Sequence, residues 1–203
     1  MGNQVYVVSC TDYAKAETAL RKTVERMGGI SRFVQPGERI LLKANLLRPV
    51  PPEAAVCTHP AVIGAIAKLI REAGGTAVIA DSPGGALQKE SVLRNLYEKT
   101  GAAQAAQESG GEVCMDPSAR LVELPEGKVL RQAEIISPAL DCDGIFDLCK
   151  MKTHVFMGMT GAVKNSFGLI PGLTKAGFHG SHPDQAQFAQ LLLDLIGFMM
   201  PRL

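Results

Sequence analysis

RILLKANLLRPVPPEAAVCTHPAVIGAIAKLIREAGGTAVIADSPGG, residues 39–85, sets the fold. It opens from a Gln35-Pro36-Gly37-Glu38 turn into RILLKANLL, an apolar run with polar Lys43 and Asn45 near its end. Such a run reads as a strand buried on both faces. RPVPPEAAVC is a proline-interrupted loop. Pro60 suits the first turn of a helix, with Thr58 or His59 as its cap. The helix carries apolar groups at Val62, Ile66, Leu69 and Ile70 and stops at Gly74-Gly75. TAVIADSPGG is a second buried strand, broken at Ser82-Pro83-Gly84-Gly85. Strand, crossover helix and strand predict a parallel pair.

The flanks extend the alternation. QVYVVSC predicts a strand and Tyr13–Met27 a helix ended by Gly28-Gly29. Helices are expected from Lys89 to Lys99 and from Ala102 to Glu108, then a strand at EVCMD. Residues 117–140 contain a Pro125-Glu126-Gly127 turn between two short runs, an antiparallel hairpin insertion. GIFDLCKMKTH, residues 144–154, is read as one buried strand ending in charge. A helix is expected from Met159 or Thr160, a glycine-rich loop over LIPGLTKAGFHGSHP, and an apolar helix from Asp184 to Met200. The fold class is α/β: a doubly wound, mainly parallel sheet with helices on both faces and a small antiparallel hairpin. Residues 1–203 are expected to form one domain. Because the last helix runs into Pro201-Arg202-Leu203 where an alternating fold feeds another strand, that domain is expected to be truncated.

Composition limits the function. Net charge is +1 and aromatic content 5% with no Trp, so neither a nucleic-acid nor a membrane partner is expected. MGNQVYVVSC lacks a secretory pattern and no apolar run is long enough to span a bilayer, which makes the cytoplasm the expected location. The five cysteines show no Cys-x-x-Cys pair, so no cluster or zinc motif is read here. A His59/His154/His179 metal site lacks ligand spacing, and no metal is assigned.

Ligands of parallel sheets bind beyond the carboxyl ends of the strands. Three deduced strands end in polar groups: Lys43 and Asn45; Asp81, Ser82, Gly84 and Gly85; Lys152 and His154. Gly158 and Gly161 allow backbone close to a ligand, and Thr160 or Gly161 at a helix start offers N–H groups. Lys164 and Asn165 follow one turn later. A lysine near a helix N-terminus is unfavourable without an anion between them. The ligand expected is therefore a small anion bearing phosphate or carboxylate. Lys43, Lys152 and Lys164 would neutralise it, Asn45, Ser82 and Asn165 would hydrogen-bond it, and Asp81 would orient a lysine, bind a cation or form an Asx turn. His154 or His179 would carry the proton, the latter from a loop closing as a lid.

In order along the chain, LLKANLL, THPAVIGAIAKLIREAGG, VIADSPGG and KMKTHVFMGMTGAVKNSFGLIPG resemble the family known as domain of unknown function 362. The resemblance implies a link to iron–sulfur proteins, because many members carry a ferredoxin-like module after the common domain. This chain stops before such a module. The family's reaction is not established, so the cofactor is unknown. Two readings stay open: an enzyme or substrate-binding domain acting on a small anion, redox-linked through a module outside this chain, or a non-catalytic anion-binding or electron-transfer docking module.

Overall fold

The computed structural model describes residues 4–84 and 89–203; Gly85, the end of the second strand motif, lies outside the described residues. In chain order the elements are α1 (Ala16–Arg26), β1 (Arg39–Ala44), α2 (Pro60–Glu72), β2 (Thr76–Ile79), α3 (Glu90–Lys99), α4 (Ala102–Ser109) and β3 (Glu112–Val113). There follow β4 (Ala119–Glu123), β5 (Gln132–Ile136), α5 (Ser137–Asp141), β6 (Gly144–Leu148), β7 (Lys152–His154), β8 (Gly158–Thr160), α6 (Ala162–Asn165), α7 (Thr174–Ser181) and α8 (Gln185–Met199).

Strands β1, β2, β3 and β6 form a parallel sheet in the order β3-β2-β1-β6. The chain steps outward from β1 to β3, then returns to the other side of β1 as β6. The direction of winding therefore reverses between β1 and β6, and in such sheets that is where a crevice opens beyond the carboxyl ends.

Side-chain alternation sorts the core. Ile40, Leu42 and Ala44 of β1, with Phe146 and Leu148 of β6, pack against Val24, Ile63, Ile66, Ile70, Leu93 and Tyr97 of α1, α2 and α3. Each buried Val, Leu, Ile or Phe among them contributes about 1.5–3 kcal/mol by leaving water. Leu41 and Ile145 point to the opposite face, with Ile135 of β5 and Phe188, Leu191 and Leu195 of α8. That same parity brings two charged residues together: Lys43 and Asp147 are register partners across β1 and β6. The reading of residues 39–84 and the hairpin between residues 117 and 140, observed as antiparallel β4 and β5, match the sequence expectations. His59 is the helix cap, its Nδ1 accepting from Ala61 N at 3.2 Å.

Four expectations need correction. Residues 4–10 form no strand, and Val5 and Val7 are largely exposed. Branched residues favour extended backbone, but a strand exists only where a neighbour takes up its N–H and C=O groups. GIFDLCKMKTH is not one strand: β6 ends at Leu148, and Lys152–His154 is a separate strand paired antiparallel with β8. Thr160 is accordingly in a strand rather than at a helix start, with Gly161 capping a four-residue α6. The glycine-rich segment expected as a loop contains helix α7, which buries Lys175.

Candidate functional site

A cavity of about 690 Å3 opens at the carboxyl ends of β1 and β6. Its floor is built by the strands. Lys43, 1% exposed, pairs with Asp81 at 2.9 Å and donates to Ala44 O at 2.7 Å and Asn165 Oδ1 at 3.3 Å. Asp81 also accepts from Leu46 N at 2.7 Å and Ser82 N at 2.8 Å. Asn165 Nδ2 donates to Lys43 O at 3.0 Å and Asp147 Oδ1 at 2.8 Å, joining the two strands at the switch point. Burial pushes the Asp147 carboxyl up to about 6, against the pull of Asn165 and Lys43. Gly168 lies on this floor with no room to spare. A Cβ there would sit 2.5 Å from Lys43 Nζ and closer still to an Asp81 oxygen.

The wall comes from the β7–β8 hairpin and the helices after it. Alternation aims Lys152 and His154 inward and leaves Met151, Val155 and Met159 exposed. A three-residue turn joins the strands, and Gly158 takes the left-handed conformation, φ +70, that closes it. Lys152 Nζ donates to Asn45 Oδ1 at 2.6 Å and Val56 O at 3.1 Å. Burial, with Lys150 and Lys43 nearby, lowers its pKa. His154 Nδ1 accepts from Phe156 N at 3.2 Å and Met157 N at 3.1 Å. That fixes the neutral ring with its proton on Nε2, a donor to whatever occupies the cavity. His179 stacks on Phe188, centroids 4.6 Å apart. Burial, then the charge of Lys164, holds the pKa values of both imidazoles below the ordinary histidine value.

Lys164 lies over the Phe167 ring at 4.6 Å and the Phe188 ring at 5.8 Å. Burial, reinforced by Lys43 and Lys152, depresses its pKa to about 8. Lys175 of α7 donates to Ser82 O and is depressed to about 7, again mainly by burial.

Of the residues singled out in the sequence, Lys43, Asn45, Asp81, Ser82 and Gly84 line the cavity from the sheet side. Lys152, His154, Thr160, Lys164, Asn165 and His179 line it from the other. Gly161 adjoins it as the cap of α6. His59 is elsewhere, stacked on Tyr13 with centroids 3.7 Å apart. The sequence reading did not select Asp147, Arg48, Gly168 or Lys175. Asp147 had a usable signal, a single charge inside the buried run GIFDL. Lys175 had none, because its burial depends on α7 docking over the sheet end. The dipole argument for Lys164 also falls, since α6 is too short to have a macrodipole of consequence.

The family model described as Domain of unknown function (DUF362) matches residues 40–203. The chain belongs to this family. Of the curated proteins it is similar to the "Thylakoid-associated protein sll1697" of Synechocystis sp. (strain ATCC 27184 / PCC 6803 / Kazusa), 30% identical over 197 residues. That match covers 91% of this chain and 56% of the relative, so the chain spans a little over half of the relative's length. No solved structure matches. The DUF362 match covers the parallel sheet from Ile40 of β1 onward and the whole cavity lining. No helix among the described residues is long and apolar enough to cross a membrane.

Proposed function

We propose that this cavity binds a small anion carrying a phosphate or carboxylate, and that the chain is an enzyme or the substrate-binding domain of one. One observation carries the reading. Lys43, Lys152, Lys164, Lys175 and Arg48 line the cavity, and the one carboxylate in the described lining, Asp81, is already paired with Lys43. Positive charge in a partly desolvated cavity is costly, and an anion relieves it. His154 Nε2–H and the side chain of Thr160 add neutral donors, and His179 supplies a neutral imidazole able to take a proton.

An iron–sulfur group is the cofactor the family resemblance implies. The described residues do not fit one: they hold no group of three or more His, Cys, Asp or Glu able to bind a metal. Any electrons would come from a separate ferredoxin-like module or partner. The reading keeps the cytoplasmic placement expected from composition.

The test is thermal unfolding in inorganic phosphate, citrate and lactate against chloride at matched ionic strength. A saturable rise in Tm is expected for at least one anion, and Lys152→Met should weaken its apparent affinity about tenfold, close to the value of one charged hydrogen bond. Identical unfolding in every anion sinks the reading. A docking module is the second reading, favoured by the exposed Met151, Val155 and Met159 at the cavity rim. His154→Gln separates the two, since in an enzyme turnover falls while binding survives.

A further inference from the structure

Three of the four lysine ammoniums in the cavity are engaged. Lys43 has Asp81, Lys152 has Asn45 and Val56, and Lys175 has Ser82 O. Lys164 has no hydrogen-bond acceptor among the described residues, only the faces of Phe167 and Phe188. An ammonium there has lost water without gaining a counter-ion, and two cations repel its proton. It can regain stability by taking an anion or by releasing the proton. The released form is a primary amine with its lone pair free in a half-buried position, which is how an enzyme activates a lysine toward carbonyl carbon.

We propose that the cavity takes a small 2-oxo acid and that Lys164 condenses with its ketone to form an imine. The assignment rests on the anion-binding reading, which supplies the carboxylate with partners. The Lys164 nitrogen lone pair forms the C–N bond while the carbonyl π pair moves to oxygen. A proton passes from nitrogen to that oxygen, giving a carbinolamine. The hydroxyl then takes a second proton and leaves as water as the C=N bond forms. No oxidant or reductant is consumed. His154, with Nε2–H facing the cavity, hydrogen-bonds the departing oxygen, and neutral His179 on the Phe188 side carries protons between nitrogen and oxygen. A depressed amine pKa, about 8 for Lys164, leaves a useful neutral fraction at neutral pH. An exposed lysine at about 10.4 has roughly two orders of magnitude less.

The experiment incubates the protein with pyruvate and cyanoborohydride at neutral pH, maps the reduced adduct by peptide mass, and runs lactate in parallel as a carboxylate without a ketone. The expected result is an N-carboxyethyl adduct on Lys164 forming at least tenfold faster than on exposed Lys22 or Lys99, and lost in Lys164→Arg. Lys152→Met, which leaves the amine in place but removes one of the two cations that lower its pKa, should slow labelling by pyruvate about tenfold more than labelling by butanone. Stabilisation by both lactate and pyruvate with no Lys164 adduct overturns the imine and spares the anion reading. An adduct spread evenly over surface lysines also overturns it. Lys164 labelled by butanone and pyruvate alike, with no stabilisation by any carboxylate, overturns the 2-oxo acid assignment and the anion reading together.

Discussion

The floor and the wall of the cavity are both built from lysines and polar side chains, yet they handle charge in opposite ways. On the floor, Lys43, Asp81 and Asn165 are nearly inaccessible, and their polar atoms are matched to one another and to backbone. On the wall, Lys152 has neutral acceptors only, and Lys164 has two aromatic rings. A matched buried ion pair holds strands in register but has nothing left over for a ligand. Unmatched cations cost stability in the empty protein and return it when an anion arrives. The floor is therefore where substitution should harm folding, and the wall where it should harm binding while leaving the fold intact.

Asp81→Ala breaks the comparison most severely. Removing one partner strands the Lys43 charge and two backbone N–H groups, with an expected loss of about 3–5 kcal/mol in denaturant unfolding. Lys164→Met should do the reverse in a pH-dependent way. The amine is depressed to about 8 in the fold and ordinarily lies at 10.5. Below pH 8 it is charged in both states and the burial penalty is in full force. Above 10.5 it is neutral in both and the penalty is gone. Stability of the wild type should thus climb across that window, by something on the order of 2–3 kcal/mol from this group. Lys164→Met should remove that rise and be the more stable protein near pH 7. Lys175, depressed to about 7, adds a rise of the same sign that starts lower and survives the substitution.

Gly168→Ala sharpens the contrast from the packing side. A methyl group driven against the Lys43–Asp81 pair should cost about 1–3 kcal/mol in the same unfolding assay, although no charge is altered. The smallest effect belongs to the surface. Arg21 bridges Glu17 at 2.9 Å and Glu72 at 2.5 Å on the partly exposed surface, and Arg21→Met should change stability by about 1 kcal/mol or less. If Arg21→Met proves as damaging as Asp81→Ala, burial is not what distinguishes these pairs.

Much of the floor was legible in the sequence because it follows from strand ends. Lys43 and Asp81 terminate apolar runs, and a parallel sheet brings such ends to one edge. The wall was read less well. Lys152 and His154 were selected, but as the tail of β6, although Lys150-x-Lys152-x-His154 already had the two-residue period of a half-exposed strand. Tertiary packing decided the rest. Gln4 to Cys10 had the composition of a strand and no strand partner among the described residues, and the segment containing Lys175 had glycines enough for a loop but a docking surface that made it a helix. Asp147 stood out as a lone charge in GIFDL, but a strand buried on both faces shows no alternation to reveal which side that carboxylate takes.

The paired strands β7 and β8 have two sides of opposite character, cationic toward the cavity and sulfur- and methyl-rich toward solvent. Parity alone keeps them apart. Dropping a single residue between Leu148 and Lys152 would turn the ribbon over, delivering Met151 to the ligand and Lys152 and His154 to bulk water. That three-residue connection can therefore vary in identity far more freely than in length.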